Sequence, residues 1–274
     1  MNNLLTRTLY GLIFAFVMVA SILYSVQLLA GVLLFFAAVG IVEIVRLHTQ
    51  KEIRKKMLLV YMTPALLVYI LLALGALEYI EPKILSIAVF FLIFPMIHAL
   101  FSKYQHYTTV VGIHWSAMFF VSLPLALMLY FYRSDLVGPM AGAGLLLLVI
   151  VFIWINDIFA YLIGMRFGKH RLFERVSPKK SWEGSVGGLV FTMAVAWLVA
   201  SYFDWITLGH SLTIAVIVIV SGTLGDLTES KMKREAGVKD SGKLLPGHGG
   251  VLDRFDATFF AIPFVFIYLL IVNS

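Results

Sequence analysis

About nine runs of apolar residues, each near the length that crosses a bilayer as a helix, constrain this chain more than any other feature. They lie near residues 8 to 25, 27 to 46, 57 to 77, 84 to 101, 109 to 131, 140 to 164, 184 to 205, 211 to 229 and 255 to 271. Within hydrocarbon no water satisfies backbone N–H and C=O groups, so such runs close their hydrogen bonds internally as helix. The expected fold is therefore all-α, a polytopic integral membrane protein. With 61% hydrophobic and only 13% charged residues, the composition leaves little to build a soluble domain. No internal repeat or low-complexity stretch divides residues 1–274, which read as a single membrane-embedded domain. Arg7 precedes an apolar run without a convincing small-residue cleavage site, so that run is expected to stay as the first helix. Pro64, Pro95 and Pro124 are expected to kink their helices.

The cations are distributed unevenly. If the runs alternate in direction, 19 of the 21 Lys and Arg fall on one side, and only Lys83 and Arg133 on the other. Cytoplasmic loops are enriched in these residues, so that side is assigned to the cytoplasm. The net charge of +6 is spent on topology rather than on a soluble basic face, and no nucleic-acid partner is expected. The chain has no cysteine, which excludes disulfides, thiolate nucleophiles and cysteine metal sites.

Polar chemistry gathers in three cytoplasmic clusters. From Gly225 to Asp256 the chain is dense in acids, bases and glycines. On a helix, Ser230, Lys233 and Arg234 follow Asp226 by four, seven and eight residues and share its face. A helix end with snorkelling cations would look the same. Pro246-Gly247-His248-Gly249-Gly250 can present backbone N–H groups as an anion nest. Asp253 and Asp256 are three apart at the start of the last run; with Asp226 they offer hard oxygen ligands, or else they simply cap a helix. In the second cluster, Ser177, Lys179, Lys180 and Ser181 stand just before a helix and suit a phosphate clamp or a positive-inside anchor beside Trp182. The third is Asn156-Asp157 with Tyr161, where Asp157 either orients a clamp lysine or makes a buried contact between helices. The remaining histidines show no metal-ligand spacing.

These residues resemble the phosphatidate cytidylyltransferase, or CDP-diacylglycerol synthase, family. Its signature is read here in Ser230, Lys233-Arg234, Lys239-Asp240, Pro246-Gly247-His248-Gly249-Gly250 and Asp253-Arg254-Phe255-Asp256. The match is sharp over residues 156 to 256 and general in hydropathy before that; Ile158 stands where the family usually has a hydroxyl residue. The resemblance implies magnesium-dependent transfer of the cytidylyl group of CTP to phosphatidate, giving CDP-diacylglycerol and pyrophosphate. It implies Asp226 and Asp253 as metal ligands with Asp256 a nearby carboxylate. Lys233, Arg234 and Arg254 would bind phosphates, while Ser230, His248, Gly249 and Gly250 help position them. Ser177, Lys179, Lys180, Asp157 and Lys239 complete substrate binding. The partners implied are CTP, phosphatidate, membrane lipids and, by family analogy, a second copy in a homodimer. The implied location is a bacterial inner membrane, with the site facing the cytoplasm. The competing readings are a CTP-dependent lipid kinase, which would release CDP; a transporter using Asp157 and Asp226 as intramembrane carboxylates; and a structural scaffold.

Overall fold

The computed structural model describes residues 3–49, 55–103, 106–242, 244 and 249–273. Helices α1 (Asn3–Tyr24), α2 (Val26–Thr49), α3 (Lys55–Ala76), α4 (Ile87–Phe101), α5 (Tyr107–Trp115) and α6 (Leu123–Tyr130) come first. A one-turn α7 (Ser134–Val137) precedes α8 (Ala143–Phe167), strands β1 (Arg171–Phe173) and β2 (Ser177–Ser181), then α9 (Trp182–Tyr202), α10 (Leu208–Glu235) and α11 (Leu252–Asn273). Among the described residues seven helices are long and apolar enough to cross a membrane: Val26–Thr49, Lys56–Ala76, Tyr107–Tyr130, Ala143–Phe167, Trp182–Tyr202, Leu208–Glu235 and Leu252–Asn273. Thr8–Tyr24 and Val89–Phe101 are shorter apolar helices, so among the described residues the nine expected runs are helical and seven of them meet both the length and the apolarity of a span. The protein is an all-α integral membrane protein with one small hairpin.

The chain forms two compact units, residues 1–132 with 235–255 and residues 133–234 with 256–274. In the first, Leu29, Leu33, Ala37, Ile41 and Ile44 of α2 are completely buried, recurring at the three-and-four spacing of one helix face. Two tyrosines tie helices through backbone carbonyls: Tyr69 donates to Ala30 at 2.7 Å and Tyr132 to Ile22 at 2.6 Å. Phe14 packs edge to face on Phe36 and on Phe255, and those two rings meet at a tilt, with centroids 5.3–5.6 Å apart. Between α5 and α6, residues Ser116–Ser122 form a π-helical segment in which the Leu123 N–H donates to Met118. Pro124 comes one residue later, after Leu123, so the wider turn accommodates a residue that has no N–H to give.

In the second unit, α8 and α9 pack closely because glycines line their contact. A Cβ on Gly188 would strike the Asn156 side chain and carbonyl, and one on Gly184 the Ala160 carbonyl. Phe159 and Phe191 stack at 3.7 Å beside them. The segment between these helices, which lies between two of the apolar runs, is an antiparallel hairpin pairing Arg171 with Ser181 and Phe173 with Ser177, with an irregular register between. Glu183 fastens it to α9, accepting from the Lys169 N–H at 3.1 Å, the His170 N–H at 3.2 Å and His170 Nδ1 at 2.6 Å. Large apolar side chains on the outer faces, such as Val190, Trp197 and Ile267, are exposed, as lipid contact requires.

Candidate active site

The second unit builds a polar pocket from five elements, α8, β1, β2, α9 and α10. Asp157 comes from α8, Arg171 from β1, Lys179 and Lys180 from β2, and Thr223 and Asp226 from α10. They wall a cavity of about 560 Å³ together with Tyr161 and Ser185. The hairpin places the two lysines, and Ser181 then caps α9 by accepting the Gly184 N–H at 3.2 Å. Lys180 forms an ion pair with Asp226 Oδ2, while Ser230 Oγ donates to Asp226 Oδ1 at 3.2 Å. The pair is partly exposed, so it holds geometry more than it adds stability.

Asp226 is one of three carboxylates that meet here. Oxygens of Asp226, Glu229 and Asp256 all lie within 4.8 Å of one another, a grouping that can hold a metal ion. Such an arrangement of hard anionic oxygens suits a small divalent cation. Helix α10 supplies two of them three residues apart, and α11 supplies the third. Gly225 permits this approach, since a Cβ there would strike the Asp256 carbonyl. Lys233 pairs with Glu229, whose side chain is fully buried, and Asp256 Oδ1 accepts the Ala257 N–H at 2.7 Å.

The sequence expectation thus meets the structure unevenly. Asp226, Ser230, Lys233, Lys179, Lys180 and Asp157 fall within this unit, around or beside the pocket and the carboxylates. Glu229, which also looks like part of a family motif, was not expected among the carboxylates that could hold a metal, although its spacing from Asp226 was the available signal. Ser177 pairs across the hairpin with Phe173, and Arg234 is exposed in the last turn of α10.

In the first unit, Lys239, Asp240 and Arg254 are exposed, and His248 lies outside the described residues with Pro246 and Gly247. Asp253, expected as a metal ligand, uses Oδ2 to accept the Ser241 N–H at 2.8 Å, the Ser241 hydroxyl at 2.9 Å and the Gly250 N–H at 2.8 Å. Gly249 has φ +82°, and a Cβ there would strike the Asp253 carboxylate. Glu43 of α2, also unanticipated, accepts the Val251 and Leu252 N–H groups at 3.0 Å each and the Ser241 hydroxyl at 2.8 Å. The Gly250 N–H, expected to help form an anion nest, thus serves the protein's own Asp253, and the neighbouring Val251 and Leu252 N–H groups serve Glu43.

The chain is similar to known proteins. The Cytidylyltransferase family matches residues 5–272. A "Phosphatidate cytidylyltransferase" of Haemophilus influenzae is 43% identical over 150 residues, which cover 53% of this chain and 51% of the relative. Similar proteins carry the same name in Staphylococcus haemolyticus, 41% identical over 145 residues, and Staphylococcus saprophyticus, 43% over 143, each match covering 52% of this chain and 54% and 53% of the relative. The chain spans about half the length of the curated relatives it matches. With the family match running almost end to end over a fold of apolar helices, the chain belongs to the Cytidylyltransferase family.

Proposed function

We propose that this protein transfers the cytidylyl group of CTP to phosphatidate, leaving CDP-diacylglycerol in the membrane and releasing pyrophosphate. The observation that carries the reading is the meeting of Asp226, Glu229 and Asp256 beside a cavity lined by Arg171, Lys179 and Lys180. The family match and the names of its relatives support it.

In this reaction a phosphate oxygen of phosphatidate attacks the α-phosphorus of CTP. The bond from that phosphorus to the bridging oxygen of the β-phosphate breaks, and pyrophosphate departs with the electron pair. A phosphate monoester, with a second pKa of about 6, is already anionic near neutrality, so no strong general base is needed. The protein's task is to hold two mutually repelling phosphates in line and to offset the charge on the leaving group. The three carboxylates fit magnesium, which when bound would neutralise triphosphate charge. Lys179 and Arg171 are exposed at the pocket and suited to hold phosphate oxygens. Lys180 reaches the same cavity from its ion pair with Asp226, so it can exchange a carboxylate for a phosphate. The motif residues Lys239, His248 and Arg254 are assigned to phosphate binding on the family pattern. The site would face the cytoplasm of a bacterial inner membrane, since CTP is a soluble anion and the phosphatidate headgroup lies at the bilayer surface.

Purified protein in mixed micelles with magnesium should release pyrophosphate and form CDP-lipid only when CTP and phosphatidate are both present. Formation of CDP and a lipid phosphate from an alcohol would reassign it to a lipid kinase. No CDP-lipid from folded protein would overturn the reading.

A further inference from the structure

We propose that Glu43 is a positioning residue: from α2 it fixes the two ends of the loop between Ser241 and Leu252, which carries Gly249 and Gly250 and is flanked by Lys239, Asp240 and Asp253. It lies far from the family motif in sequence, 198 residues before Ser241. Its side chain is buried at 4% exposure in an otherwise apolar helix, where a carboxylate is costly and usually has a task.

The task is visible in its partners. Oε1 accepts the Val251 N–H, and Oε2 accepts the Leu252 N–H and the Ser241 hydroxyl. The first two donors stand at the opening of α11, where helix N–H groups lack partners within the helix and the dipole favours an anion. A carboxylate from another helix replaces a local cap and reaches across to the loop's start at Ser241. Asp253 ties the same points a second time, through the Ser241 N–H and hydroxyl and the Gly250 N–H. The sequence is shaped around this contact, because a Cβ on Gly242 or Gly250 would fall on the Glu43 carboxylate. Glu43 acts through the loop and is not a catalytic residue. The catalytic part of the proposal rests on the cytidylyl-transfer reading; the clamp does not.

Hydrogen exchange on the full-length protein in detergent tests the clamp without substrate. In Glu43→Ala the amides of Ser241 and Gly250 to Leu252 should exchange about 10-fold faster or more, with α3 and α9 unchanged. Gly242→Ala should speed the same amides in wild type and add nothing to Glu43→Ala, since the atoms it would strike are gone. If Glu43→Ala loosens the whole bundle, Glu43→Gln and Ser241→Ala read the same amides while removing fewer bonds. Unchanged exchange in those variants, or additive effects of Gly242→Ala and Glu43→Ala, would overturn the proposal. In the product assay Glu43→Gln should lower kcat about 10-fold or more while the KM for CTP moves by less than about 3-fold, the pattern of lost positioning rather than lost binding. A KM rise with unchanged kcat would refute the positioning role. A wild type that makes no CDP-lipid defeats the activity reading alone, because the exchange result stands apart.

Discussion

Asp226 answers to two unlike partners, a lysine on one oxygen and a serine hydroxyl on the other. Asp226→Asn keeps the shape and removes the charge, so magnesium-dependent formation of CDP-lipid should fall by roughly 100-fold or more while melting in detergent changes little. Retained turnover would remove Asp226 from the metal site. Its neighbour Glu229 shows what a reading along one helix face overlooks. Tracing the face from Asp226 through the fourth, seventh and eighth residues passed over the third, which lies equally close on a helix. Glu43 was hidden for a different reason: it is one acid in an apolar run, and its partners come from 198 to 209 residues later. Tyr132, outside the spanning helices, offers a test by pH. Burial raises its phenol to about 12 from the usual 10.0, and its hydroxyl donates to the Ile22 carbonyl. Because the folded value is the higher one, its contribution is complete below about pH 10 and is lost as pH rises towards 12. Tyr132→Phe should cost about 1 kcal/mol at pH 8 and flatten the alkaline loss of stability, as followed by thermal melting between pH 8 and 11.

Helices were legible because their apolar runs have bilayer length, whereas the hairpin from Arg171 to Ser181 was not. Ser177-Pro178-Lys179-Lys180-Ser181 lacks the alternation that marks a strand, and the Glu183 contacts with Lys169 and His170 depend on the chain folding back. That hairpin matters because it carries Lys179 and Lys180 to the pocket. Helix α10 also continues to Glu235, beyond its apolar run, which brings Ser230, Lys233 and Arg234 into helical order. Close packing of α8 on α9 was equally unreadable from hydropathy, since it depends on which glycines meet. Gly188→Val would push against Asn156, one residue from Asp157, and should destabilise the protein by about 1–3 kcal/mol. Thermal melting and turnover should fall together; an unchanged melting temperature would show that the two helices separate without cost.

Across the whole molecule, the charge pattern predicts which loops meet which side of the membrane. The absence of native cysteine makes this directly measurable. In intact bacterial spheroplasts an impermeant maleimide should label Ser134→Cys, whereas Lys169→Cys should react only after permeabilisation; both positions are exposed. The opposite pattern would invert the assigned orientation. The π-helical segment from Ser116 to Ser122 has a consequence for how the chain tolerates a change of length. Removing one residue from a regular helix turns everything beyond it by about 100°, so a buried stripe is driven outwards. The wide turn holds a surplus residue, and deleting exposed Phe119 can close it to ordinary α-helix while leaving Leu125, Met128 and Leu129 facing inwards. That shortened protein should still assemble in the membrane, as judged by size-exclusion chromatography, whereas deletion of Leu67 within α3 should not. The segment is the place in this rod where evolution can add or subtract a residue without rewriting the core.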